Sequence, residues 1–410
     1  MAGMIHSKLC KPRVFPWNSA RVPEQINRAQ NIGGDLTLNR TDEYEIGRIG
    51  KLGTKQETPN LPYSMAQFEN GNMEFYRALA NLVNPASAGL DNTVDLDDVK
   101  TKKVDISAYL TDDDNVFTGT IWFPGLRISG FSINIGDPDA IVERSFNLVG
   151  EDFIILAEKY FAYDSAVAGG DGELTIDLDP EPIAYAASKY IFRVLRVRAG
   201  VVTELEEDVS SAYADNSYRY LGGDVIVQDC LEYDLVKVYY PADTAYETLW
   251  SPDDVSEDFL LASYCEVYIK VGTSNRVYLL QSIGVDIALE RADYKQIGDY
   301  KVVLTGSKKE TVTVSLDRFN GSCTLETILA GDTDYPYINP RDFVDNVQIM
   351  IKMFKEKEHT NFLIGYVMKE LSPTTLGVTQ AVEDYGKKTN KLSGDNLLIT
   401  DDLAECVFSA

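Results

Sequence analysis

The chain repeats itself over a long distance, and this restricts its fold more than any other property. Ile32-Gly33-Gly34-Asp35-Leu36-Thr37-Leu38-Asn39-Arg40 returns as Ile283-Gly284-Val285-Asp286-Ile287-Ala288-Leu289-Glu290-Arg291, 251 positions later. One nine-residue echo in 410 residues is weak evidence, but the sequel keeps its order. Tyr44, Ile46 and Gly47 meet Tyr294, Ile297 and Gly298. Gly53-Thr54-Lys55-Gln56-Glu57-Thr58 meets Gly306-Ser307-Lys308-Lys309-Glu310-Thr311, and Arg77-Ala78-Leu79-Ala80 meets Thr327-Ile328-Leu329-Ala330. Far downstream, the stretch from Ser145 to Asp152 meets that from Thr389 to Asn396, placing Gly150 on Gly394. The offset drifts only between 244 and 253. Such a period is much longer than that of solenoids or propellers, so the expectation is a duplicated domain.

The expected boundaries are an extended arm at 1–30, a first copy at 31–158, a β-rich insert at 159–258 and a second copy at 259–410. Pro12, Pro16 and Pro23 motivate the arm. Each copy reads as a β-sandwich or barrel with one short flanking helix. Val312-Thr313-Val314-Ser315-Leu316 alternates as a strand does, and the stretches 118–123 and 128–135 are also strand-like. Met73, Tyr76, Leu79 and Val83 recur at helical spacing, with Leu325, Ile328 and Leu329 as their echo. The acidic stretch 91–114 and its counterpart 332–345 read as exposed loops used in subunit contacts. The insert holds 11 of the 24 tyrosines, and short strand-like runs suggest a small immunoglobulin-like or decorating domain.

A net charge of −26 argues against nucleic acid or an anionic membrane as a tightly held ligand. Five cysteines without a Cys-x-x-Cys pair point to a reducing compartment, and no apolar run is long enough to span a membrane. His6 and His359 are the only histidines, one in the expected arm and one beside a lysine-rich stretch, which argues against a histidine-rich metal site or a histidine-based triad. Neither a nucleophile elbow nor a phosphate-binding loop occurs. Asp171, Glu173, Asp177, Asp179 and Glu181 lack the spacing of a calcium loop and read as a solvated strand edge. No enzymatic role, cofactor or metal is expected.

The repeated pattern of an apolar strand, Tyr44-Glu45-Ile46-Gly47, a proline-bearing strand, a helix and Glu143-Arg144-Ser145-Phe146-Asn147-Leu148-Val149-Gly150 resembles the tail tube proteins of long-tailed bacterial and archaeal viruses. Lys295-Gln296-Ile297-Gly298 and the run from Lys388 to Gly394 carry the resemblance in the second copy. It implies subunits that form sixfold rings stacked into a hollow tube, with two fused tube domains making three chains a pseudo-hexamer. Implied partners are further copies of the chain, a tape-measure protein and viral DNA in the lumen, and tail terminator and baseplate proteins. No membrane partner is implied. The location implied is the virion tail, and an acidic lumen would repel the passing DNA. Gly33, Asp35, Arg40, Tyr44, Gly47 and Gly150, with Gly284, Asp286, Arg291, Tyr294, Gly298 and Gly394, define the repeat as structural positions. Alternatives are a baseplate hub or distal tail protein of the same fold, a sliding-clamp-like ring, and a cell-surface adhesin.

Overall fold

The computed structural model describes residues 11–17, 23–26, 29–35, 40–44, 51–56, 61–71, 73–80, 93–111, 117–150, 152–187, 189–208, 216–244, 260–277, 280–295, 302–319, 324–331, 338–379 and 386–408. The protein is mainly β. An N-terminal set comprises β1 (Lys11–Pro16), β2 (Glu24–Gln25), β3 (Ala29–Gly34), β4 (Arg40–Tyr44), β5 (Lys51–Gln56) and β6 (Leu61–Phe68). It continues with α1 (Glu74–Leu79), β7 (Thr93–Asp95), α2 (Leu96–Lys100), β8 (Val104–Thr111), β9 (Phe117–Ile135), β10 (Glu143–Gly150) and β11 (Ile154–Ala157).

A middle set follows, with β12 (Tyr160–Val167), β13 (Gly172–Asp177), β14 (Arg193–Arg198), β15 (Val201–Glu207), β16 (Ser217–Leu221), β17 (Asp224–Cys230) and β18 (Leu235–Ala242). The C-terminal set has β19 (Cys265–Val271), β20 (Thr273–Arg276), β21 (Leu280–Lys295), β22 (Val302–Phe319), α3 (Thr324–Leu329), β23 (Val347–Phe354), β24 (Phe362–Thr379), β25 (Lys387–Gly394) and β26 (Asn396–Thr400).

Alternation explains the inner strands. In β6, Leu61, Tyr63 and Met65 are buried while Pro62 and Ser64 face outward. In β10, Arg144, Phe146 and Leu148 point into the same core. The strand order there is β3-β6-β10-β9, all antiparallel. Strand β9 is long enough to serve two layers: its first half pairs with β8 and β11, its second with β10. Pro124 and Gly125 mark the change, with Gly125 at a φ of +64°, where a side chain would be strained.

The C-terminal set is ordered β21-β22-β25-β24. Its registers match those of the N-terminal set position for position. Ile32 faces Met65 and Met65 faces Phe146; Ile283 faces Leu316 and Leu316 faces Asn390. Both sets carry a bulge at the same place, where the Ser129 hydroxyl donates to the Asn147 carbonyl and the Thr374 hydroxyl to the Lys391 carbonyl. Gly150 and Gly394 also share a physical reason. A Cβ at Gly150 would lie 2.7 Å from Leu126, and one at Gly394 would lie 2.9 Å from Leu371.

Two expectations need correction. Residues 11–17 do not form a free arm: β1 pairs with both β2 and β8, and Val14, Phe15 and Trp17 are buried. The stretch 91–114 is not simply an exposed loop, because Val94, Leu96, Val99, Val104 and Ile106 are buried apolar positions among its acids. Asp95 caps α2 by accepting from the Asp98 backbone N–H, and the Asp98 carboxylate accepts in turn from the Asp95 backbone N–H. Of the counterpart stretch, 332–337 lies outside the described residues, and 338–345 holds a short 3-10 turn at Pro340–Asp342.

The middle set forms a separate seven-stranded sheet with its own core, including Val194, Val225, Val236 and Val238. It rests on the N-terminal set through Phe15, Trp17, Trp122, Phe161 and Tyr239.

Candidate assembly interface

The N- and C-terminal sets meet through backbone. The outer edge of β9 pairs with β21 over six positions, from Ile135 opposite Ile283 to Gly130 opposite Ala288. One continuous sheet results, β3-β6-β10-β9-β21-β22-β25-β24. The approach is close: a Cβ on Gly130 would stand 2.4 Å from the Ile287 carbonyl oxygen. A second strand crosses over, since Val94 of β7 pairs with Ile399 of β26.

Side chains reinforce the junction. Glu69 receives the Arg144 guanidinium at 3.1 Å and the Tyr366 hydroxyl at 2.8 Å, and Tyr366 lies 3.0 Å from the Tyr76 hydroxyl. Arg77 Nη2 donates to both carboxylate oxygens of Asp401, at 2.9 and 2.8 Å. Burial is the largest single influence on the Arg144 pKa and lowers it, but the Glu69 carboxylate together with Tyr76 and Tyr366 outweighs it and the net shift is upward. Tyr76 is pushed up to about 12, chiefly by burial. Neither group serves as an acid or base near neutral pH; both hold the junction. An arginine at an inward position of an alternating strand was the sequence signal for this network.

The continuous sheet ends on two edges that have no partner strand among the described residues, β3 on one side and the second half of β24 on the other. Val378 on β24 is 60% exposed, whereas Ile133, at the matching register position on β9, is 1% exposed. Beside β3 an apolar cavity of about 410 Å³ opens between Ile32, Leu110, Ile121, Phe123 and Phe153. Ile121 occupies the register position that Tyr366 occupies in the C-terminal set, where Tyr76 of α1 arrives.

The outward face of the continuous sheet is small and polar. One row across it reads Asn31, Ala66, Ser145, Ser132, Asp286, Thr313, Ser393, Ser372, and the Ser132 and Ser145 hydroxyls are 2.7 Å apart. Acids on this side, among them Asp35, Glu143, Asp286, Glu290 and Asp317, are interspersed with Arg127, Lys387 and Lys391.

The repeat-defining residues do not converge on one site. Gly33 lies in β3 opposite Ser64, and Gly284 in β21 opposite Ser315, each with open space where a Cβ would sit. Asp35 and Asp286 are exposed on the outward side. Arg40 and Tyr44 belong to the β4–β5 hairpin, while Arg291 and Tyr294 lie along the distal part of the β21–β22 hairpin. Gly47 and Gly298 lie outside the described residues. No helix among the described residues is long and apolar enough to cross a membrane. The chain matches no protein-family profile and no curated protein sequence.

Proposed function

We propose that this protein is a structural subunit of a viral tail tube, built from two copies of one tube domain, and that three chains close into a pseudo-hexameric ring that stacks into a hollow conduit for DNA. The observation that carries the reading is the order of strands. β3-β6-β10-β9 and β21-β22-β25-β24 run in the same sequence and meet last to first. A last-to-first contact is heterologous, so it can be repeated by the next chain until the rotation closes a ring. Strand β24 of one chain on β3 of the next, in the register of β9 on β21, sets Thr379 opposite Gly33, Val378 opposite Gly34 and Gly377 opposite Asp35.

The outward polar face of the sheet suits a lumen wall. Affinity for DNA grows with each phosphate neutralised by Lys or Arg, and this face has few of either. Its mixed charge favours a wall that is unreactive through small hydroxyl and amide groups rather than one that repels through dense acid. The middle set is read as a decoration outside the wall. No catalytic role is assigned.

Negative-stain microscopy of the purified chain tests the reading. Rings or tubes with a central hole are expected; a monomer at every concentration would rule it out.

A further inference from the structure

The inner sheet is only one of two contacts at the junction. The other is the graft of β7 onto β26, in which Asp95, Val94 and Thr93 face Leu398, Ile399 and Thr400. We propose that Ile338 and Asn339 of one chain join β11 of the next copy of the chain, as Val94 and Asp95 join β26 within it. The inference rests on the head-to-tail reading above and names a second surface through which the neighbour is recognised.

The receiving edges correspond. β26 flanks β24 with Ile399 opposite Tyr366, and β11 flanks β9 with Ile155 opposite Ile121. Their environments differ in one respect. Ile399 is covered by β7 and is 3% exposed; Ile155 has no strand beyond it among the described residues and is 62% exposed. Ile155 stays open although its neighbour Leu156 is buried against the middle set, so that set does not cover it. An isoleucine on an unpaired edge is a template for strand addition.

The donating segments correspond as well. Asp95 closes β7 and caps the helix that follows, its carboxylate accepting from the Asp98 backbone at 3.0 Å. Asn339 caps the 3-10 turn at Pro340–Asp342, its side chain accepting from the Arg341 backbone at 3.1 Å. The next strand starts at Val104 in one case and Val347 in the other, so the apolar residue before each cap, Val94 or Ile338, stands at nearly the same distance from it. Ile338 is half-buried and Asn339 exposed, and no strand pairs with either among the described residues.

Paired cysteines test the register. Ile155→Cys with Ile338→Cys is expected to give disulfide-linked oligomers on oxidation, while each single variant does not. Val94→Cys with Ile399→Cys, which repeats the geometry inside one chain, sets the expected efficiency. Rings or tubes that form without the cross-link would overturn this inference and leave the tube reading intact. A chain that remains monomeric while the internal pair cross-links would overturn both. Cross-linked open strings without rings would support the inference and count against the tube. As a second variant, Ile155→Asp changes an exposed side chain, so the monomer should fold with wild-type circular dichroism. Its assembly concentration should rise at least about tenfold; an unchanged concentration would overturn the proposal.

Discussion

Replacing Glu69 by Ala removes the group on which the junction converges. Its two oxygens accept from Asn70 N at 3.0 Å, Gly71 N at 2.9 Å, Arg144 at 3.1 Å and Tyr366 at 2.8 Å. Glu69 and Arg144 are both fully buried, so the variant leaves a guanidinium without its counter-charge in the core. Breaking a buried pair from one side costs about 3–5 kcal/mol, most of it the uncompensated charge. Arg144→Met alone strands the carboxylate instead, and should cost less because two backbone N–H groups and the Tyr366 hydroxyl still hold it. The double variant removes both charges and should cost no more than the Glu69→Ala single. Urea denaturation followed by circular dichroism on all four proteins measures the cycle. If the single losses add to within about 0.5 kcal/mol, the charges are not coupled and the account of the network fails.

Three further outcomes follow from other sites. Burial pulls the Lys237 pKa down to about 7, with Asp105 opposing, and its ammonium donates to the Pro16 carbonyl between the middle and N-terminal sets. The unfolded chain then holds a proton that the folded chain does not, so stability rises from about pH 7 towards the unfolded lysine value; Lys237→Met should abolish that slope and raise stability near pH 6 by a few kcal/mol, and urea melts at pH 6, 8 and 10 that stay parallel to wild type would refute this. Gly130→Ala should cost about 1–3 kcal/mol because its Cβ meets the Ile287 carbonyl, while Gly33→Ala, with nothing within 4 Å, should change stability by less than about 0.5 kcal/mol; equal thermal shifts would contradict the close approach. Val378→Asp should leave the monomer folded and block assembly, and sedimentation velocity showing wild-type oligomers would exclude the β24 edge as a contact.

How much of this was visible in the sequence differs from element to element. β6 and β10 were legible because one face of each is buried, and that imposes strict alternation. β1 was not, since Pro12 and Pro16 suggested a loose arm; they fall near the ends of the strand, where a missing N–H interferes least, and Val14 and Phe15 between them form the core contacts. The acids around Asp95 concealed a capping box and three inward apolar residues, a start signal that spacing could have revealed. β15 escaped because most of its side chains are exposed. The pairing of β9 with β21 had no local signal at all: the residues of an edge strand say that it can pair and not with which partner. The Glu69 network offered one local signal, the inward Arg144 of β10, and its partners could not be read because they come from separate segments.

The middle set begins and finishes at neighbouring points, with Tyr160 of β12 directly opposite Ala242 of β18. A module whose two ends touch hangs from the main body like a pendant, and its removal leaves a gap that a short linker can bridge. The main sheets are therefore free of it topologically, though not chemically, because excision would uncover Phe15, Trp17 and Trp122. Any replacement cassette has to bring an aromatic underside of its own, which makes the three rings a fixed socket and the rest of the middle set interchangeable.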